Sequence, residues 1–122
     1  MAKYQADAML DAALNYIKNN ATIMTVCSAQ PTSRTEAVTT YALADVTVDT
    51  GDFTLANGDT SGRKVTVSAQ PGVAIDATGE ATHIALCSGT DLLYVTTCTA
   101  QQLTQGGTVD VPAWDIEIAD AA

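Results

Sequence analysis

From Ala21 onward the chain is a succession of short runs rich in Val, Thr and Ile. A turn cluster closes each run after about ten residues, a rhythm that constrains the fold more than any other feature. The runs are Thr22–Ser28, Ala44–Val48, Phe53–Ala56, Lys64–Ala69, Gly72–Ile75, Ala81–Ser88, Leu92–Thr99, Thr108–Val111 and Trp114–Ile118. Between them stand Thr50-Gly51-Asp52, Asn57-Gly58-Asp59, Gln70-Pro71-Gly72, Ala77-Thr78-Gly79, Ser88-Gly89-Thr90-Asp91 and Gln105-Gly106-Gly107. Each cluster brings the Gly, Asn, Asp or Pro that a tight turn needs for its backbone angles. Strands at this spacing predict a mainly β fold, a single antiparallel β-sandwich or barrel-like domain.

The first twenty residues read differently. Ala6, Leu10, Ala13, Leu14 and Ile17 recur at spacings of three and four and form one apolar stripe. Asp7 and Asp11 precede Lys18, the charge order that complements a helix dipole, and Asn19-Asn20 supplies a stop. The chain therefore reads as an N-terminal amphipathic α-helix over 1–20 and a β-sandwich domain over 21–122, together one structural unit. Its 122 residues suit one compact domain. The stripe either packs on the chain's own sheet or docks on a neighbouring subunit. Residues 29–41 are the longest irregular stretch, polar apart from Ala37 and Val38, and read as a functional loop or an interface arm.

One hairpin can be taken to its register. A two-residue turn at Gly89-Thr90 would pair Ser88 with Asp91, Cys87 with Leu92, Leu86 with Leu93 and Ile84 with Val95. Ile84, Leu86, Leu93 and Val95 would then share the core face. His83, Ala85, Cys87, Leu92, Tyr94, Thr96 and Cys98 would share the other. That second face is too apolar for open solvent, so the helix or another subunit is expected to cover it. At the C-terminal end, Trp114, Ile116 and Ile118 alternate with Asp115 and Glu117, the pattern of a half-buried strand with an acidic outer face.

Composition narrows the function classes. Fourteen acidic residues against five basic ones give a formal charge of −9. Such a surface repels phosphate backbones and anionic lipid, so neither nucleic acid nor membrane is expected as a partner. Charged residues are only 16% of the chain, too few for a disordered segment. No run approaches the roughly 18 apolar residues of a membrane span, and no apolar segment follows Met1 as a secretory signal would require. Three cysteines, Cys27, Cys87 and Cys98, without CxxC spacing, suit reduced thiols in a protein made in a cytoplasm.

Candidate chemistry is sparse. His83, the single histidine, lies in a strand, and no local signature marks Cys87 or Cys98 as a nucleophile. One His and three scattered Cys do not make a zinc pattern. Asp49-Thr50-Gly51-Asp52 and Asn57-Gly58-Asp59-Thr60 are oxygen-rich in the manner of weak calcium loops, but neither has EF-hand spacing, and Asp and Asn build turns without a metal. GxSxG, P-loop and GxGxxG motifs are absent. No catalytic, cofactor-binding or metal-ligating residue is assigned, no cofactor is expected, and the chain reads as a non-enzyme. Arg63-Lys64 read as ion-pair partners for acidic neighbours. The residues expected at an interface are Leu10, Leu14 and Ile17 of the helix stripe, with Tyr94 and Trp114.

Several segments carry a resemblance. They are Asp11-Ala12-Ala13-Leu14-Asn15-Tyr16-Ile17, Tyr41-Ala42-Leu43-Ala44-Asp45-Val46, Gly51-Asp52-Phe53-Thr54, Gly58-Asp59-Thr60-Ser61-Gly62-Arg63-Lys64-Val65, Ala81-Thr82-His83-Ile84-Ala85-Leu86, Leu92-Leu93-Tyr94-Val95-Thr96-Thr97-Cys98 and Pro112-Ala113-Trp114-Asp115-Ile116-Glu117-Ile118. Taken together the sequence resembles small virion structural proteins of tailed bacteriophages, over most of its length. The resemblance implies no catalytic residues. It implies assembly in the host bacterial cytoplasm and a place in the virion. An acidic chain suits the outside of a DNA-filled shell, so the expected role is a capsid decoration (cement) protein on the head exterior. The expected partners are the major capsid protein and copies of itself, a trimer being the first expectation. A tail, connector or spike-base component is the alternative within the particle. A surface-displayed carbohydrate- or receptor-binding module is the alternative of another class.

Overall fold

The structure is a computed structural model that describes residues 6–59 and 61–118. One helix, α1 (Asp7–Asn20), precedes nine strands. These are β1 (Ile23–Cys27), β2 (Ala42–Thr47), β3 (Phe53–Asn57), β4 (Arg63–Val67), β5 (Gln70–Ala74), β6 (Gly79–Cys87), β7 (Leu92–Leu103), β8 (Thr108–Val111) and β9 (Trp114–Ile118). Every expected strand is present, with β2 beginning earlier and β7 running further than the sequence suggested. The part of the expected helix over residues 1–5 lies outside the described residues.

The strands form three antiparallel sheets with the orders β2-β1-β6-β7, β3-β4-β9 and β5-β8. An isolated bridge, Ala44 to Ile75, ties β2 to β5. The arrangement is sandwich-like, and the sheets do not close into a barrel. Register sets which rows face inward. In the four-stranded sheet one row runs Val46, Met24, Leu86, Tyr94 and the next Ala44, Val26, Ile84, Thr96. Opposite them the three-stranded sheet presents Phe53, Val67, Trp114 and Leu55, Val65, Ile116. These rows make the main core, whose burial is the chief stabilising term.

The amphipathic stripe of α1 packs on β3 and β4 of the same chain. Leu10 and Leu14 are buried, Ile17 lies against the core, and Ala13 stays exposed. Asp11 fixes the helix to the sheet through Arg63, whose Nε donates to Asp11 Oδ1 at 2.8 Å. Asp7 and Lys18 sit in the first and last turns, where the dipole favours them.

The hairpin register holds at the turn and then departs from expectation. Ser88 N donates to Asp91 O at 2.9 Å and Cys87 pairs with Leu92, but Leu86 pairs with Tyr94 and Ile84 with Thr96. The physical reason lies in the turn. Two-residue hairpin loops match strand twist when they use positive φ, yet neither Gly89 nor Thr90 has it. The Ser88 hydroxyl instead accepts from Thr90 N and Asp91 N, and a bulge follows at once in β7. One extra residue moves every later side chain to the opposite face. Tyr94 and Cys98 therefore join the main core, while Val95 joins Ala85 and Cys87.

On that second face the helix is not the cover, because it packs on β3 and β4. Residues 29–41 fold back over it. A π-helical turn at Glu36–Thr40 lays Ala37 and Val38 against Cys27, Ala85 and Cys87. Two bonds pin the segment: Arg34 Nε donates to Ser88 O at 2.8 Å and Ser28 N to Tyr41 O at 3.0 Å.

Candidate functional site

The two aromatic residues expected at an interface meet. Tyr94 reaches the inner face because of the β7 bulge, and Trp114 reaches it as the first residue of β9. Their rings stack with centroids 6.0 Å apart and planes 24° apart, within the usual range for aromatic pairs. They mark a seam between the free edge of β7 and the β8–β9 segment. A pocket of about 370 Å³ opens there, walled by Ile84, Leu103, Val109, Val111 and Trp114, with Gln101, Asp110 and Asp115 among its polar lining. Trp114 Nε1 is shut off from solvent and, among the described residues, has no hydrogen-bond partner. The pocket can bury an apolar group and offers hydroxyl and amide partners from Thr96, Thr97 and Gln101.

Leu10, Leu14 and Ile17 belong to a different place. They lie under α1, with Leu10 3% and Leu14 0% exposed, so the helix presents Met9 and Tyr16 outward instead, at 56% and 57%. Those two stand off the apolar stripe, which is why a periodicity argument passed over them. The free edge of β7 was likewise invisible in the sequence, because strand order depends on pairings such as β1 with β6.

Several titratable groups hold turns and strands in place. On the outer face of β4 and β9, Lys64 Nζ lies 2.7 Å from Asp59 Oδ1 and 3.2 Å from Asp115 Oδ2, and Thr66 Oγ1 donates to Asp115 Oδ1 at 2.8 Å. The Thr66 hydroxyl, then Lys64, hold the Asp115 carboxyl below its ordinary value. Both oxygen-rich loops are internally occupied. Asp49 Oδ1 accepts from Gly51 N and Asp52 Oδ2 from Asp49 N, each at 2.9 Å, a reciprocal cap on the short 3-10 turn Thr50–Asp52. Asn57 Oδ1 accepts from Arg63 at 2.7 Å, and Glu117 accepts from Asp59 N. Among the described residues, no group of three or more His, Cys, Asp or Glu side chains is placed to hold a metal ion.

Cys27 and His83 face each other across β1 and β6, the nearest approach to a thiol–imidazole pair. Cys27 is fully buried, shares a hydrogen bond with Thr25 and donates to Ala37 O. Burial pushes its thiol up, as it does those of Cys87 and Cys98, the opposite of what a nucleophile needs. His83 Nδ1 is 2.8 Å from the hydroxyl of its neighbour Thr82. All three cysteines are free thiols. Along β6, Cys87 lies four residues from the partner of Cys27, about 13 Å at strand rise and too far to bridge.

Fold and site together define an acidic, sandwich-like antiparallel β domain with one docked helix and an open seam. Comparison with protein-family models, with curated proteins and with solved structures finds no match.

Proposed function

We propose that this chain is a non-enzymatic structural protein of a tailed bacteriophage particle, and that it decorates the outer face of the head shell. The observation that carries the reading is where its reactive side chains go. Asp49 and Asp52 cap a turn, Asp11, Asp59 and Asp115 pair with Arg63 or Lys64, and two of the three thiols lie beneath the 29–41 segment. Such a molecule works through surfaces. The resemblance of its segments to small phage virion proteins gives those surfaces a context. The charge of −9 suits an outer position, away from packaged DNA. Cementing then consists of many modest contacts with the major capsid protein and with further copies, repeated over the lattice.

The test is to add purified chain to heads that lack it, prepared from the phage that encodes it. Saturable binding with a raised temperature of shell rupture is the expected outcome. Failure to bind intact heads sinks the reading. A second reading rests on the seam: a pocket of about 370 Å³ beside stacked Tyr94 and Trp114 is the kind of site a carbohydrate- or receptor-binding module uses. Binding to a glycan array that is lost in Trp114→Ala, with head binding absent, would favour it. A tail, connector or spike-base position differs from decoration in copy number.

A further inference from the structure

The same seam exposes something besides a pocket. β7 is twelve residues long, the longest strand described, and it pairs with β6 along one edge only. Among the described residues, no backbone hydrogen bond reaches its other edge. Four consecutive residues, Thr96, Thr97, Cys98 and Thr99, all line the pocket. Thr96 and Thr97 are both regularly paired with β6 and point to opposite faces, so a cavity touched by both lies against the strand's edge. The pocket mouth and the unpaired N–H and C=O groups of β7 are one feature.

Natural edges are protected by charge, proline, shortness or a covering element. Here the other edges carry such protection. β2 has Asp45 and the bridge to β5. β9 follows Pro112 and carries Asp115 and Glu117, β5 contains Pro71, β8 contains Asp110, and β3 is short and flanked by Asp52 and Asp59. β7 is interrupted by the bulge after its turn and by a second irregularity between Thr97 and Gln101, but from Leu92 to Gln105 there is no charged residue, no proline and no glycine. A net charge of −9 sets copies of the chain against one another, and β7 is a strand that itself carries no charge, with Asp110 and Asp115 across the pocket from it.

We propose that the free edge of β7 is a self-association surface: two copies pair β7 with β7, antiparallel about a two-fold axis, joining their four-stranded sheets into one of eight. An extended strand satisfies the alternating edge groups, and a two-fold contact makes the same patch serve both partners. Thr96, Thr97 and Thr99 supply β-branched cross-strand neighbours. The partner's inward side chains enter the pocket mouth. The inference does not depend on which particle, if any, the protein decorates.

The experiment is solution mass by light scattering over about 1–100 μM, a range in which a modest self-affinity becomes visible. The wild-type chain is expected at twice its 12.6 kDa. Thr97→Lys with Thr99→Lys, both exposed positions, sets like charges against each other and should halve the mass while the far-ultraviolet spectrum stays unchanged. The matched control Thr54→Lys with Ala56→Lys, on β3, should leave the dimer intact. Register is read separately from single cysteines at positions 95–101 in a Cys98→Ser background, of which at least one should give a disulfide-linked dimer on mild oxidation. A monomeric wild type overturns the proposal. So does an odd-numbered oligomer, because each copy has one β7 edge, or an oligomer that survives the lysine pair. Should the lysine variant fail to fold, absence of any cross-link at positions 95–101 overturns it equally.

Discussion

Asp45 shows how a single exposed side chain can oppose the fold. Partial burial, and then the neighbouring Asp76 carboxylate, push its carboxyl above the ordinary value. A raised carboxyl favours the folded state fully below the unfolded pKa of about 3.9 and loses that contribution as pH rises through the folded value. At neutral pH the ionised pair therefore costs stability. Asp45→Asn should raise the melting temperature at pH 7, by less than about 1 kcal/mol of stability after solvent screening, and make no difference below pH of about 3.9. Asp115 has the reverse sign: its depressed carboxyl stabilises above the unfolded value, and that contribution disappears as pH falls through the folded one. Gly58 is constrained by space. A Cβ there would run into the Ser61 carbonyl and the Glu117 carboxylate, so Gly58→Ala should destabilise by about 1–3 kcal/mol in denaturant titrations. None of this is readable from composition, because Asp76 and Glu117 reach their partners through the fold.

At the scale of elements, the helix and all nine strands were legible, since hydrophobic period and turn residues are local signals. What covers the second face of the four-stranded sheet was not. Ala37 and Val38 are two apolar residues in a polar stretch, too weak a signal to reveal a folded-back segment. The bulge in β7 was hidden for a related reason: it depends on the φ angles of Gly89 and Thr90, which the residue types leave open. Two measurements address these elements. Leu14→Ala, at a fully buried position of α1, should cost about 2–5 kcal/mol in chemical unfolding, as expected of a helix packed within its own chain. Arg34→Ala removes the bond to Ser88 O that holds down the 29–41 segment. Thiol labelling of the native wild type should begin at Cys98, the partly exposed cysteine, and the variant should gain labelling at Cys27 and Cys87.

The whole molecule presents an acidic chain with Arg63 and Lys64 held in ion pairs, a docked helix, and one seam where an uncharged edge strand and a pocket bordered by Asp110 and Asp115 coincide. Sandwich-like topology was foreseeable from strand rhythm. Sheet order was not, because β1 pairs with β6 and β4 with β9 across long stretches of chain. Tyr94 and Trp114 were named from sequence as interface residues, and the fold brings them together at that seam. Leu10 and Leu14 were named with them and lie in the interior. The central claim, a decoration protein on a phage head, is tested most directly by the copy number of this chain in purified particles, measured by quantitative mass spectrometry against the major capsid protein. A ratio of about one to one, or about one to three, is the predicted result for a component repeated over the shell lattice. About a dozen copies or fewer per particle, or none, contradicts it.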